Sequence, residues 1–237
     1  MSLSSYIAAA ETANPIPLIG HVVRSVGLLV ESRGPRAQVG ELCELQQASG
    51  RRLALEVVGF RDGFVQSVPL GTTAGIRPGD TLVARGGSAR VAVGPELLGR
   101  VLDGLGQPLD GLGPVRSATT APLYPPPMNP LARDPIVTPM GTGVRAIDSL
   151  LTCGRGQRIG LFGGSGVGKS TLLGMITRGT AADVIVMALV GERGREVRSF
   201  LEHDLGVEGL KRSVVIVSTS DNPPLVRLRA EIGRAHV

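Results

Sequence analysis

From Leu18 to about Val93 the chain alternates short apolar stretches with polar turns. Runs rich in valine and leucine recur at Val22–Val30, Glu41–Gln46, Leu53–Phe60, Phe64–Val68, Thr81–Ala84 and Arg90–Val93. Ser49-Gly50, Asp62-Gly63, Pro78-Gly79-Asp80 and Gly86-Gly87 separate them, and these are residues that favour tight reversals. Five or six short strands at this spacing predict a small barrel or sandwich over residues 18–94. From about Ile136 the rhythm changes. Gln157–Phe162 reads as a strand, Lys169–Arg178 as a helix, Val184–Val190 as a buried strand, Arg193–His203 as a helix and Ser213–Thr219 as a strand. Asp221, Asn222 and two prolines then open a further helix. Strand and helix in alternation predict a parallel sheet with helices on its faces.

The stretches outside these two regions carry weaker patterns. Residues 95–135 read as a connector in which LGRVLDGLGQPLDGLG (Leu98–Gly113) repeats Asp-Gly-Leu-Gly at Asp103 and Asp110, as two successive turns would. Pro122–Pro130 reads as a stiff extended spacer. Residues 1–17 read as a flexible tail, where one or two helical turns in Ile7–Ala13 are stopped by Pro15 and Pro17.

Composition narrows the class. The 237 residues are 42% hydrophobic and 19% charged, enough for a sizeable core and unlike a disordered tail. No apolar run approaches the roughly eighteen residues of a membrane-spanning helix. No lysine or arginine precedes Arg24, which argues against a secretory signal and for a cytoplasmic protein. Cys43 and Cys153 form no CxxC pair and read as buried thiols in a reducing compartment. The net charge is +5, and only Lys169 and Lys211 are lysines, the other basic residues being arginines. Aromatics are 3% and tryptophan is absent, which counts against a single-stranded nucleic-acid partner because base stacking needs aromatic platforms.

The strongest chemical signal is Gly163–Ser170, GGSGVGKS, lying between a predicted strand and a predicted helix. It fits G-x-x-x-x-G-K-[ST], the loop that wraps phosphates. Residues Gly163, Gly164, Ser165, Gly166, Val167 and Gly168 would converge backbone N–H groups on a polyphosphate, glycine leaving no Cβ in the way. The helix that follows adds a partial positive charge at its start. Lys169 is placed for the β- and γ-phosphates, the Ser170 hydroxyl for Mg2+ and Thr171 for the α-phosphate. A nucleoside triphosphate with Mg2+ is the ligand this pattern predicts.

Two further signals sit at strand ends, where ligands collect in open parallel sheets. Gly191-Glu192-Arg193-Gly194-Arg195-Glu196 follows the strand Val184–Val190. A strand beside the phosphate loop would bring Glu192 to the γ-phosphate, where a carboxylate polarises the attacking water. An acidic residue opening a solvated helix has the same spacing, so position alone leaves both readings open. Thr219-Ser220-Asp221 reads most simply as a helix cap.

Three segments together resemble the flagellar and type III secretion export ATPases: GVRAIDSLLTCGRGQRIGLFGGSGVGKSTLLGMITR (Gly143–Arg178), VGERGREVRSFLE (Val190–Glu202) and RSVVIVSTSDNPPLVRLRA (Arg212–Ala230). The connector LGRVLDGLGQPLDG is also similar to that of the related rotary ATP synthase catalytic subunits. The resemblance implies a small N-terminal β-barrel followed by a RecA-like P-loop domain with a parallel sheet over 136–230. It further implies a homo-hexameric ring with ATP sites between neighbours, peripheral at the inner face of the bacterial membrane. Stalk and regulatory subunits of the export apparatus, chaperones and cargo proteins would be its partners. By position, Lys169 and Ser170 take the phosphate and magnesium roles, Glu192 matches the family's catalytic carboxylate, and Arg193 matches the arginine that helps position the γ-phosphate.

The resemblance is incomplete. Gly164 stands where many members carry alanine. The family continues past Ala230 with the rest of a helix, a strand ending in a Mg-supporting aspartate, an arginine finger and a helical domain. Glu231–Val237, EIGRAHV, does not resemble that continuation and reads as a translated adapter joined to a truncated gene. The chain is accordingly expected to expose a sheet edge, to be poorly stable alone and to turn over ATP weakly. A rotary synthase subunit is the nearest rival, set apart by GREVRSF. A transcription-termination RNA translocase would need an aromatic, basic N-terminal domain, and residues 20–93 offer only Phe60 and Phe64.

Overall fold

In a computed structural model of the protein, residues 17–127, 129–164 and 166–233 are described. The turns expected in Ile7–Ala13, Ser165 of the loop motif and the last residues of the EIGRAHV tail lie outside them. The chain divides after Ala89 into two compact units.

In the first unit six strands close into a barrel: β1 (Ile19–Val26), β2 (Leu29–Arg33), β3 (Glu41–Gln46), β4 (Arg52–Arg61), β5 (Phe64–Pro69) and β6 (Thr81–Ser88). Their spatial order is β1-β2-β5-β4-β3-β6, and β6 pairs back onto β1. Alternate residues point inward, so Val22, Val30, Cys43, Leu45, Leu53, Leu55, Val57, Val65 and Leu82 fill the interior. The single run expected over Val22–Val30 is two strands. Gly27 takes φ +60, and Val26 pairs with Leu29 across a two-residue reversal. Val26 before Gly27 and Leu28–Val30 after it are as apolar as a strand and hid that turn. Asp62 and Gly63 both have positive φ, as a two-residue hairpin loop needs. Gly86-Gly87, expected to be a turn, instead lies within β6 at a shift of register opposite β3.

The second unit begins with β7 (Arg90–Val93), which pairs with β9 (Thr119–Pro122) and contributes nothing to the barrel. Its main sheet is parallel, in the order β10 (Ile185–Val190), β11 (Ser213–Ser218), β8 (Val101–Asp103). Thus the stretch Leu98–Gly113 supplies a strand as well as turns. Asp103 Oδ1 accepts from the Leu105 and Gln107 amides at 2.8 Å each, closing the first turn. Asp110 closes the second through Leu112 N and binds Arg100 with both oxygens, at 2.7 and 3.0 Å.

Helices α1 (Arg145–Leu150), α2 (Lys169–Gly179), α3 (Gly194–Ser199), α4 (Gly206–Lys211) and α5 (Pro224–Gly233) complete the unit. The helix expected over Arg193–His203 is α3 followed by a π-helical turn, Phe200–Leu205, before α4. Val197, Phe200 and Leu205 from this segment pack on Met187, Leu189, Val215 and Val217 of the sheet. The Arg212 guanidinium caps the end of α2, donating to the carbonyls of Thr177, Arg178 and Ala182 at 2.9, 3.0 and 2.9 Å.

A further expectation fails. Gln157–Phe162 forms no strand, and Ile159, Leu161 and Phe162 are exposed. Its apolar pattern suits a buried strand, but a ladder needs a neighbour, and none of the described strands pairs with it.

Candidate functional site

The loop and the start of α2 form one wall of a cavity of about 600 Å³. Gly163, Gly164, Gly166, Gly168, Lys169, Ser170 and Thr171 line it. Gly166 and Gly168 hold φ of +76 and +89, a left-handed conformation that side chains resist. A Cβ on Gly164, Gly166 or Gly168 would meet nothing within 4 Å, so these backbones face open space where an anion can approach. The Lys169 ammonium donates to Gly163 O at 2.7 Å and bridges the loop. Val167, 65% exposed, is not among the lining residues, and Ser165 lies outside the description.

The opposite wall comes from the loop after β10 and the helical segment that follows it: Glu192, Glu196, Ser199, Phe200 and Asp204. Two backbone bonds past the strand ends hold Glu192. Gly191 N donates to Ser218 O at 2.8 Å, and Ser220 N donates to Glu192 O at 3.1 Å. The Thr219-Ser220-Asp221 motif therefore anchors the carboxylate-bearing loop. The segment also turns on itself, with Asn222 N donating to Thr219 O at 3.1 Å. Arg193, exposed at the N-cap of α3, is not among the lining residues.

The Glu192 and Glu196 carboxyls lie within hydrogen-bonding reach of each other. That contact, then partial burial and the Glu196 charge, raise the pKa of Glu192, while Lys169 pulls it the other way. A carboxyl so tuned holds a proton more readily than a solvated one, which suits a group that must take one from water. A second cavity of about 300 Å³, against Leu102 and Ile216, contains none of the loop residues.

Two family models match the chain: the beta-barrel domain of the ATP synthase alpha/beta family over residues 22–86, and the nucleotide-binding domain of that family over residues 143–233. Together they account for about two thirds of its residues. The chain belongs to the ATP synthase alpha/beta family. The flagellum-specific ATP synthase of Bacillus subtilis (strain 168) is 50% identical to it over 97% of this chain and 53% of the relative. The type 3 secretion system ATPase of Sinorhizobium fredii is 46% identical over 93% of this chain and 49% of the relative. The assembled ATPase EscN of the enteropathogenic E. coli type III secretion system is structurally similar. Its TM-score is 0.81 at 42% identity, covering 91% of this chain and 52% of EscN. The chain spans about half the length of the curated relatives it matches.

The loop and Glu192, both expected at the site, line this one cavity, and Glu196, Ser199, Phe200 and Asp204, which the sequence did not single out, line it as well. Glu196 could have been found, since it stands four residues after Glu192. Ser199 follows Glu196 at helical spacing within α3, whereas Asp204 carried no usable signal, because the π turn that holds it departs from that spacing.

Proposed function

We propose that this chain binds ATP with Mg2+ at Gly163–Thr171, and that the protein is an ATP hydrolase driving protein export by the flagellar type III apparatus. The observation that carries the reading is the meeting of Lys169 and Glu192 in one cavity with the phosphate loop. Backbone N–H groups of Gly163, Gly164, Ser165, Gly166, Val167 and Gly168 would cradle the phosphates. Lys169 would neutralise the β- and γ-oxygens, and Thr171 would hold the α-phosphate. Glu192 would accept a proton from the attacking water, and Arg193 would swing in to position the γ-phosphate. The donors fit Mg2+, which prefers hard oxygen: the Ser170 hydroxyl, with Glu192 and Glu196 across the cavity. When bound, the ion would supply positive charge that offsets the charge of the phosphates.

The flagellar assignment is supported by 50% identity to the flagellum-specific ATP synthases of Bacillus subtilis and Treponema pallidum. The virulence-type export ATPase is the second reading, supported by the Sinorhizobium and EscN similarities. EscN has been solved as an assembly and with its central stalk EscO. By analogy this protein would form a homo-hexamer around a stalk, meeting regulatory subunits, chaperones and cargo at the inner face of the cell membrane.

Calorimetry of Mg-ATP against this chain tests the binding step. Uptake that Lys169→Ala abolishes is the expected result, and no uptake by the unsubstituted chain refutes the reading. In the protein that hydrolyses ATP, Glu192→Gln should keep binding and lose turnover; unchanged turnover would remove Glu192 from its role. Flagellar rather than injectisome genes beside this one would select between the two export systems.

A further inference from the structure

Helix α2 carries Lys169, Ser170 and Thr171 at its first turn, and the opposite wall of the cavity carries Glu196, Ser199, Phe200 and Asp204. The two walls meet at Gly174, which is buried. A Cβ built on Gly174 would sit 2.7 Å from Asp204 Cβ and 3.1 Å from the Asp204 carbonyl oxygen. Carbon atoms do not approach that closely, so a side chain here must push the π turn and α2 apart. Asp204 belongs both to this contact and to the cavity lining. The wider π turn carries Asp204 to that point at the end of a segment whose start holds Glu196, the partner of Glu192.

We propose that Gly174 is a positioning residue. By letting α2 lie directly against Asp204, it sets the distance between the phosphate-gripping wall and the carboxylate-bearing wall. This rests on the nucleotide reading given above. The loop glycines grip phosphate from the α2 side alone, whereas oxygen donors for Mg2+ come from both walls. Widening the gap therefore weakens the magnesium-dependent part of nucleotide binding and spares the rest. A glycine that served only as a tolerated helix residue would act differently. Its replacement by alanine would raise the melting temperature through better helix propensity and leave binding alone.

The test uses the full chain, with ATP as the titrant, in Mg2+ and in EDTA. For Gly174→Ala the tightening that Mg2+ confers should fall by at least about tenfold, while affinity in EDTA changes by less than about threefold. Asp204→Gly removes the nearer of the two atoms the alanine methyl meets, the Cβ at 2.7 Å, and leaves the carbonyl oxygen at 3.1 Å, a contact that a shift of a few tenths of an ångström relieves. In that background, adding Gly174→Ala should alter the Mg2+ effect by no more than about twofold, which marks the contact itself as the cause. Equal Mg2+ effects in Gly174→Ala and the unsubstituted chain, or the same loss in both backgrounds, overturn the proposal. If Gly174→Ala does not fold, the double variant decides. Folding and binding like Asp204→Gly supports the contact, and failure to do so overturns it. An unsubstituted chain that binds no ATP removes the nucleotide reading and this inference together. Binding by that chain with no change in Gly174→Ala removes only the inference.

Discussion

Gly168→Ala separates what the phosphate loop does for the fold from what it does for a ligand. Gly168 has φ +89 and ψ 18, and it precedes α2 as its N-cap. An added methyl would touch nothing within 4 Å, so the empty protein feels only backbone strain. For a non-glycine residue in the left-handed region that strain is about 1–2 kcal/mol. In a unit of this size the strain should lower the melting temperature by about 2–8 °C. The same open space is where a phosphate must come within hydrogen-bonding distance of the loop amides. Losing two charge-assisted bonds there costs about 3–6 kcal/mol, or about two to four orders of magnitude in affinity. Scanning calorimetry without nucleotide and titration calorimetry with Mg-ATP measure the two effects on one sample. Unchanged affinity would show that the open space is not a phosphate site. A melting loss of about 15 °C or more would show that the methyl meets packed atoms.

Other outcomes follow from particular contacts. Glu196→Gln removes the carboxyl whose hydrogen bond first, and whose charge after it, raise the Glu192 pKa. The folded carboxyl holds its proton above the ordinary value of 4.5, so stability is lost as pH rises past that point, and the substitution should raise the melting temperature at pH 8 but not below about pH 4. An equal gain at both pH values would exclude the carboxyl pair as the cause. Leu55→Ala, in the barrel interior at 0% exposure, should cost about 2–5 kcal/mol, read as a shift in denaturant midpoint. A cost under about 1 kcal/mol would mean the barrel interior collapses freely around the void. Burial pushes the Cys43 thiol up to about 11, so iodoacetamide at pH 8 should modify it only after unfolding. Rapid labelling of the native chain would contradict that burial.

The barrel and the phosphate site were legible to different degrees, and for physical reasons. Strands β3, β4 and β5 follow from alternation because each has one face in the barrel and one outside it. The reversal at Gly27 did not, because its flanks are as apolar as a strand. The loop motif was legible because phosphate binding dictates glycines and a lysine at fixed intervals. The failed strand at Gln157–Phe162 shows the reverse case: apolar periodicity names residues that want a ladder, but only the fold supplies the neighbour. Glu196 stands four residues after Glu192, at a spacing the sequence shows, whereas Asp204 reaches the cavity through a π turn that no local spacing rule encodes.

Placing Lys169 in the cavity has a chemical corollary. Only two lysine side chains exist in this arginine-rich protein, and the other, Lys211, is ion-paired to Glu208 at 2.7 Å on an exposed helix. An acylating reagent that ignores guanidinium groups thus has one lysine target that a bound triphosphate would shield and one that it would leave open. Peptide mass spectrometry of such labelling, with Lys211 as the internal standard, turns the scarcity of lysine into a footprint of occupancy.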